Sequence, residues 1–122
     1  MPLFWAYSVK TDSATVEEIA AARDDHLRWQ FENEKLGNLL GAGPVFDPDV
    51  DGPPVAGIYI LVCNDAAEAR ARADTDPFHA RGLREYTILR WRLNESAYMG
   101  VGLRAALNGD EPDNPHYYPP AG

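Results

Sequence analysis

Leu3-Phe4-Trp5-Ala6-Tyr7-Ser8-Val9 reads as a strand, and the rest of the fold is placed around it. Aromatic and β-branched residues dominate the run. Leu3, Trp5, Tyr7 and Val9 alternate with Phe4, Ala6 and Ser8, so apolar side chains point to both sides. A strand of this kind is partly covered on each face.

Downstream, Lys10 to Ala14 is a polar turn, and Ser13 or Thr15 with Glu17 or Glu18 behind it suits the start of a helix. That helix is expected to run to about Leu36, with Lys35 in its last turn and Gly37 in a left-handed C′ position. Asn38 to Gly43 predicts a second strand whose glycines suit a bulge or a close backbone approach, and Pro44 is expected to end its pairing. Val55 to Cys63 predicts a third strand, joined to the second by turn formers between Val45 and Pro54. Asp65 suits the cap of a second helix reaching about Ala73, with Ala66, Ala69 and Ala73 as a small-residue face, and Thr75-Asp76-Pro77-Phe78 breaks it. Tyr86 to Leu93 alternates again and predicts the last strand.

The order β-α-β-β-α-β is the ferredoxin-like pattern, an α+β fold with an antiparallel sheet and both helices on one side. Helices cover one sheet face, yet the strands carry apolar residues in both phases. A second sheet is the simplest cover, so the expected assembly is a homodimer with two sheets face to face. The domain is expected over residues 1–95. Residues 96–122 form a C-terminal extension, with a short helix expected within Tyr98 to Asn108 and a Pro/Gly-rich acidic tail that straps the partner or is partly disordered.

A chain of 122 residues has the length of one domain with one core. Apolar residues are 45% and charged residues 25%, too apolar for general disorder. Lysine plus arginine total 11 against 19 acidic residues, a formal charge of −8 and a pI near 4.7, the wrong sign for a phosphate backbone; no nucleic-acid partner is expected. The longest apolar stretch, Val55 to Cys63, falls short of the roughly 20 residues that cross a bilayer, and the opening residues lack secretory-leader features. Neither a membrane nor secretion is expected. Cys63, the one cysteine, lies in an apolar run and reads as a buried structural thiol, which fits a reducing cytoplasm.

The first helix carries the chemistry. At 100° per residue Val16, Ile19, Ala20, Leu27 and Phe31 share one side, and Arg23, His26 and Gln30 fall among them. A lone histidine there is ordinarily a satisfied core group, but Arg23 one turn earlier needs an anion of its own, which points to a site. Asp76 precedes proline and marks a chain corner, as a capping aspartate or as a partner for His26. If the two meet, the carboxylate fixes the imidazole tautomer and leaves the other nitrogen to move a proton. No metal site is expected: His79 and His116 lack a second ligand at suitable spacing, and Asp47, Asp49 and Asp51 read as a solvated hairpin loop. The chain has no phosphate loop, nucleophile elbow or Cys-x-x-Cys, and no cofactor is expected.

Taken together, the aromatic strand with Tyr7, Arg23-Asp24-Asp25-His26-Leu27, Gly43-Pro44, the Asp76-Pro77-Phe78 corner and a closing strand with Trp91 resemble the YciI-like family over about residues 3 to 95. The resemblance implies a dimeric α/β barrel and a histidine–aspartate pair that carries over to His26 and Asp76. Relatives with this barrel include dehydrochlorinase-like enzymes, muconolactone isomerases and cofactor-free monooxygenases, implying acid–base chemistry on a small cyclic or phenolic molecule. An isomerase, a lyase or dehydrochlorinase, or a cyclase would fit. In that reading Arg23 holds an anionic oxygen, while Trp5, Tyr7, Gln30, Gly43, Pro44 and Phe78 border the substrate. The acidic hairpin and the tail after Asn94 depart from the shortest family pattern. The alternative is a non-catalytic small-molecule-binding or dimeric interaction module, its polar stripe a satisfied buried network.

Overall fold

The six expected elements appear in the expected order, with an unpredicted one-turn helix after the second: β1 Leu3–Lys10, α1 Val16–Lys35, β2 Leu39–Val45, β3 Ala56–Val62, α2 Ala66–Thr75, the one-turn α3 Pro77–Ala80, and β4 Arg84–Trp91. The structure is a computed structural model that describes residues 2–96. The helix expected within Tyr98 to Asn108 and the tail after it lie outside the described residues. The four strands form one antiparallel sheet in the order β2-β3-β1-β4, the ferredoxin-like α+β arrangement.

Local chemistry sets most boundaries. Thr15 caps α1 in a reciprocal box: its hydroxyl accepts from the Glu18 amide at 3.1 Å, and the Glu18 carboxylate accepts from the Thr15 amide at 3.0 Å. Gly37 ends the helix at φ 75°, a conformation that costs glycine little. Asp65 accepts from the Glu68 amide at 2.8 Å and starts α2. β2 runs past the expected end. Pro44 stays in register with Gly57 and Val45 with Ala56, because β2 is an edge strand and a proline is tolerated where no partner needs its N–H. The glycines mark a register shift between Leu39 and Gly41, the bulge form of the expectation, with no close backbone approach at Gly41 or Gly43.

Phe4, Ala6, Tyr59, Leu61, Cys63 and Ala69 form the core between sheet and helices, with Trp29 and Ile88 packed on it. Cys63 is free and fully buried, and burial pushes its thiol up to about 11, so it is a structural residue. On the opposite sheet face Leu3 and Leu93 pack with Leu40, Ile60, Val62 and Trp91. Trp5 meets Trp91 edge-on there at 5.5 Å.

The inward face of α1 differs from the expected stripe. Val16 (71%), Leu27 (46%) and Phe31 (62%) are exposed. The side turned to the fold carries Ile19, Ala22, His26, Trp29 and Asn33, spaced three and four apart. Two contacts set that rotation. Ala22 is small enough to approach Ala14, Phe78 and Leu83, and the Trp29 ring docks on Tyr59 at 5.1 Å. Among the described residues no helix is long and apolar enough to cross a membrane.

Leu61→Ala should therefore cost about 2–5 kcal/mol. Leu27→Ala, on the stripe that sequence periodicity favours, should stay within about 0.5 kcal/mol. Equilibrium denaturation of both variants checks the rotation of α1, and equal costs would contradict it.

Candidate active site at the corner between two helices

Asp76 ends α2 and caps α3 at once, at φ −61° and ψ 126°. Pro77 drives this geometry, since a residue before proline is pushed out of the helical region. Asp76 Oδ1 accepts from the Phe78 amide at 3.0 Å, so the capping reading of this residue holds. The same carboxylate also meets His26, whose Nδ1 lies 2.8 Å from Oδ1 and 3.0 Å from Oδ2. Asp76 is 1% exposed and the His26 side chain 15%.

An ionised carboxylate accepts only, so the hydrogen of the pair sits on His26 Nδ1. In neutral His26 the lone pair is then on Nε2, which makes no hydrogen bond among the described residues. The ring is clamped as well as bonded. Phe78 stacks on it at 4.2 Å and 23°, and Trp29 lies near-parallel at 6.5 Å. Trp29 is itself tied down, its indole N–H donating to Thr75 Oγ1 at 2.8 Å.

Behind Asp76 lies a second histidine. His79 Nδ1 is 2.7 Å from the Ala73 carbonyl, Nε2 is 2.7 Å from Ser8 Oγ, and the side chain is 3% exposed. Burial holds its pKa below the ordinary 6.5, against the opposing pull of the Ala73 carbonyl and the Asp76 charge. Ser8 and His79 do not make a nucleophile pair accessible to substrate, because Ser8 is 4% exposed. Arg84 reaches in from β4: it lies 4.9 Å from the Phe78 ring centre and donates to the Ser8 carbonyl at 3.2 Å.

His26, Asp76 and Phe78 are thus brought together. Gln30 is half-buried one turn further along α1, and Arg23 is exposed one turn earlier. Trp5 and Tyr7 share the other sheet face with Leu3, and Gly43 lies opposite Ile58, in register with Tyr7, on that same face. In this chain these three do not border His26. Pro44 is exposed on the edge strand. Sequence reasoning missed His79, Trp29, Tyr59 and Thr75 as neighbours of the pair. Trp29 had a signal, three residues after His26 and so on its face of the helix; His79 had one too, three residues after the cap.

A cleft of about 340 Å³ lies elsewhere, lined by Phe4, Asn64, Asp65, Ala66, Arg70, Ile88 and Arg90. Among the described residues no three His, Cys, Asp or Glu side chains gather as a ligand set. In the acidic loop Asp47 Oδ1 accepts from the Asp49 amide at 2.9 Å, ordinary turn chemistry.

Comparison with known proteins gives a family. A model for the YCII-related domain matches residues 3–92. Among solved structures, the chain is similar to the 5-chloro-2-hydroxyhydroquinone dehydrochlorinase TftG from Burkholderia phenoliruptrix, in complex with 2,5-dihydroxybenzoquinone. Identity is 17% over 73% of this chain and 92% of that one, with a TM-score of 0.62, a likeness of fold. The protein Atu4242 from Agrobacterium tumefaciens is 20% identical over 71% of this chain and 90% of that one, with a TM-score of 0.37. No curated protein matches the sequence.

His79 gives a pH dependence with a defined sign. Its folded pKa lies below the unfolded 6.5, so the unfolded chain binds the extra proton and stability falls as pH drops below about 6.5. Asp25, held low first by its hydrogen bond to Arg81, loses its contribution only below its ordinary 3.8. Denaturation midpoints should therefore decline as pH falls below about 6.5 in the wild type, before the carboxylates begin to titrate. His79→Gln should flatten that slope while leaving the more acidic limb in place.

Proposed function

Since the chain belongs to the YCII-related domain family, we propose that it is a cofactor-independent acid–base enzyme whose working pair is His26 and Asp76. The observation that carries this reading is a 2.8 Å contact between His26 Nδ1 and a carboxylate that is 1% exposed. Such a partner orients the ring and stabilises the imidazolium once Nε2 has taken a proton.

The substrate is a small cyclic or phenolic molecule. His26 Nε2 takes a proton from a substrate carbon or hydroxyl. In an isomerase or cyclase the proton returns at another atom. In a dehydrochlorinase the carbon–chlorine bond breaks, its electron pair leaves on chloride, and no electrons enter or leave overall. Arg23, exposed three residues before His26, receives an anionic oxygen of the substrate or of an enolate intermediate. The aromatic walls Phe78 and Trp29 favour a flat ligand, and Gln30 borders it. TftG, a dehydrochlorinase solved with a hydroxybenzoquinone, supports this substrate class through its likeness of fold.

The enzyme works as a cytoplasmic homodimer. Leu89, 55% exposed, and Tyr7, 39% exposed, share the apolar sheet face with Ile60 and Trp91, and a second sheet packed there would bring Trp5, Tyr7 and Gly43 into the assembly. One observation favours a non-catalytic binding module instead. His26 is only 15% exposed, a narrow opening for turnover.

Two measurements separate these readings. Nitrogen NMR of neutral His26 should show the hydrogen on Nδ1, and Asp76→Asn should shift the tautomer balance toward Nε2–H. In a screen of phenolic and lactone substrates, His26→Ala should abolish turnover and Asp76→Asn should cut kcat by roughly 10²–10⁴-fold. Full turnover by His26→Ala would refute the acid–base role.

A further inference from the structure

Tyr59 is 2% exposed, so its hydroxyl needs a partner for its hydrogen. The nearest nitrogen cannot serve. Tyr59 Oη lies 3.4 Å from His79 Nδ1, but that nitrogen is 2.7 Å from the Ala73 carbonyl, which only accepts. His79 therefore carries its hydrogen on Nδ1 and takes the Ser8 hydrogen at Nε2, 2.7 Å away. Tyr59 can offer His79 only an oxygen lone pair, and its own hydrogen must go elsewhere.

The other groups facing this cluster are engaged. Tyr86 donates to Asp74 Oδ1 at 2.6 Å, Arg84 brings donors and no acceptor, and the Ser8 hydrogen is already on His79. Asp76 remains. Its Oδ2 lies 4.0 Å from the same His79 nitrogen that Tyr59 approaches, and the two oxygens of a carboxylate offer about four acceptor positions. Burial first, and then the Asp76 charge, raise the Tyr59 pKa, so the phenol keeps its proton and acts as a donor.

We propose that Tyr59 is a positioning residue of the His26–Asp76 site, donating its phenolic hydrogen to the Asp76 carboxylate. Three donors from three elements then hold one buried carboxylate: the Phe78 amide from α3, the His26 ring from α1 and the Tyr59 hydroxyl from β3. The phenol withdraws charge from Asp76 and so sets how strongly Asp76 holds the His26 Nδ1 hydrogen. His79 supports the arrangement, because its locked tautomer removes the nitrogen beside Tyr59 as an acceptor. This inference rests on the reading of His26 and Asp76 as a working pair.

The test follows the His26 Nδ1 proton resonance in the full-length protein, assigned by its loss in His26→Ala. Tyr59→Phe removes the donor, so Asp76 becomes the better acceptor and the resonance should move downfield. Replacing Tyr59 with 3-fluorotyrosine keeps the shape but strengthens the donor, and the resonance should move upfield. Opposite shifts support the proposal, since a packing effect has no reason to reverse sign. No shift with 3-fluorotyrosine, or shifts of one sign in both, overturns it. If Tyr59→Phe does not fold, the fluorinated protein alone decides. Asp76→Asn separates the two claims: if it leaves the resonance in place, the pair itself is wrong, and if it moves the resonance while the Tyr59 variants do not, only the role of Tyr59 falls.

Discussion

A carboxylate at 1% exposure must be met by hydrogen-bond donors or be driven neutral, and the corner around Asp76 is built to meet that demand. Pro77 forces the extended backbone that separates α2 from α3, the turn that follows supplies the Phe78 amide, and α1 is rotated so that His26 arrives at 2.8 Å. The cap and the site are one group. A change that loosens α3 therefore reaches the imidazole directly, through a shared oxygen: Oδ1 of Asp76 takes both the Phe78 amide and the His26 ring.

The parts of the fold that were legible in the sequence are those decided within a few residues. The Thr15–Glu18 box, the Gly37 stop and the Asp65 cap are local hydrogen-bonding and steric devices, and each appears where its pattern stands. The rotation of α1 was not legible, because it depends on shape rather than hydrophobicity. Leu27 and Phe31 outweigh Ala22 on any apolar scale, yet Ala22 permits the close approach and Trp29 finds a platform in Tyr59. The contact between His26 and Asp76 spans 50 residues; the corner before proline left it open beside a capping role, and the family resemblance then implied it. Trp5 and Tyr7 show a further limit: a strand apolar in both phases does not say which phase meets the helices.

The two sheet faces divide the labour. Beneath the helices, polar groups lie close to aromatic rings, with Ser8, His79, Tyr59 and Asp76 linked over short distances. The other face is aromatic and aliphatic, with Trp5 against Trp91 and Leu3 against Leu93. Buried Ser8 and half-exposed Tyr7 are neighbours in one strand, so a single residue of slip in β1 would exchange chemistry for adhesion.

Pro44 has a consequence beyond the length of β2. A proline persists in a paired strand only where the side lacking an N–H faces away from its neighbour, so the outer rim of β2 is missing a rung at that position, next to the glycines at 41 and 43. A further strand laid along that rim would find a broken ladder. Continuous lateral growth of the sheet is thereby discouraged at the β2 border, and β4 is the border with an unbroken row of amides.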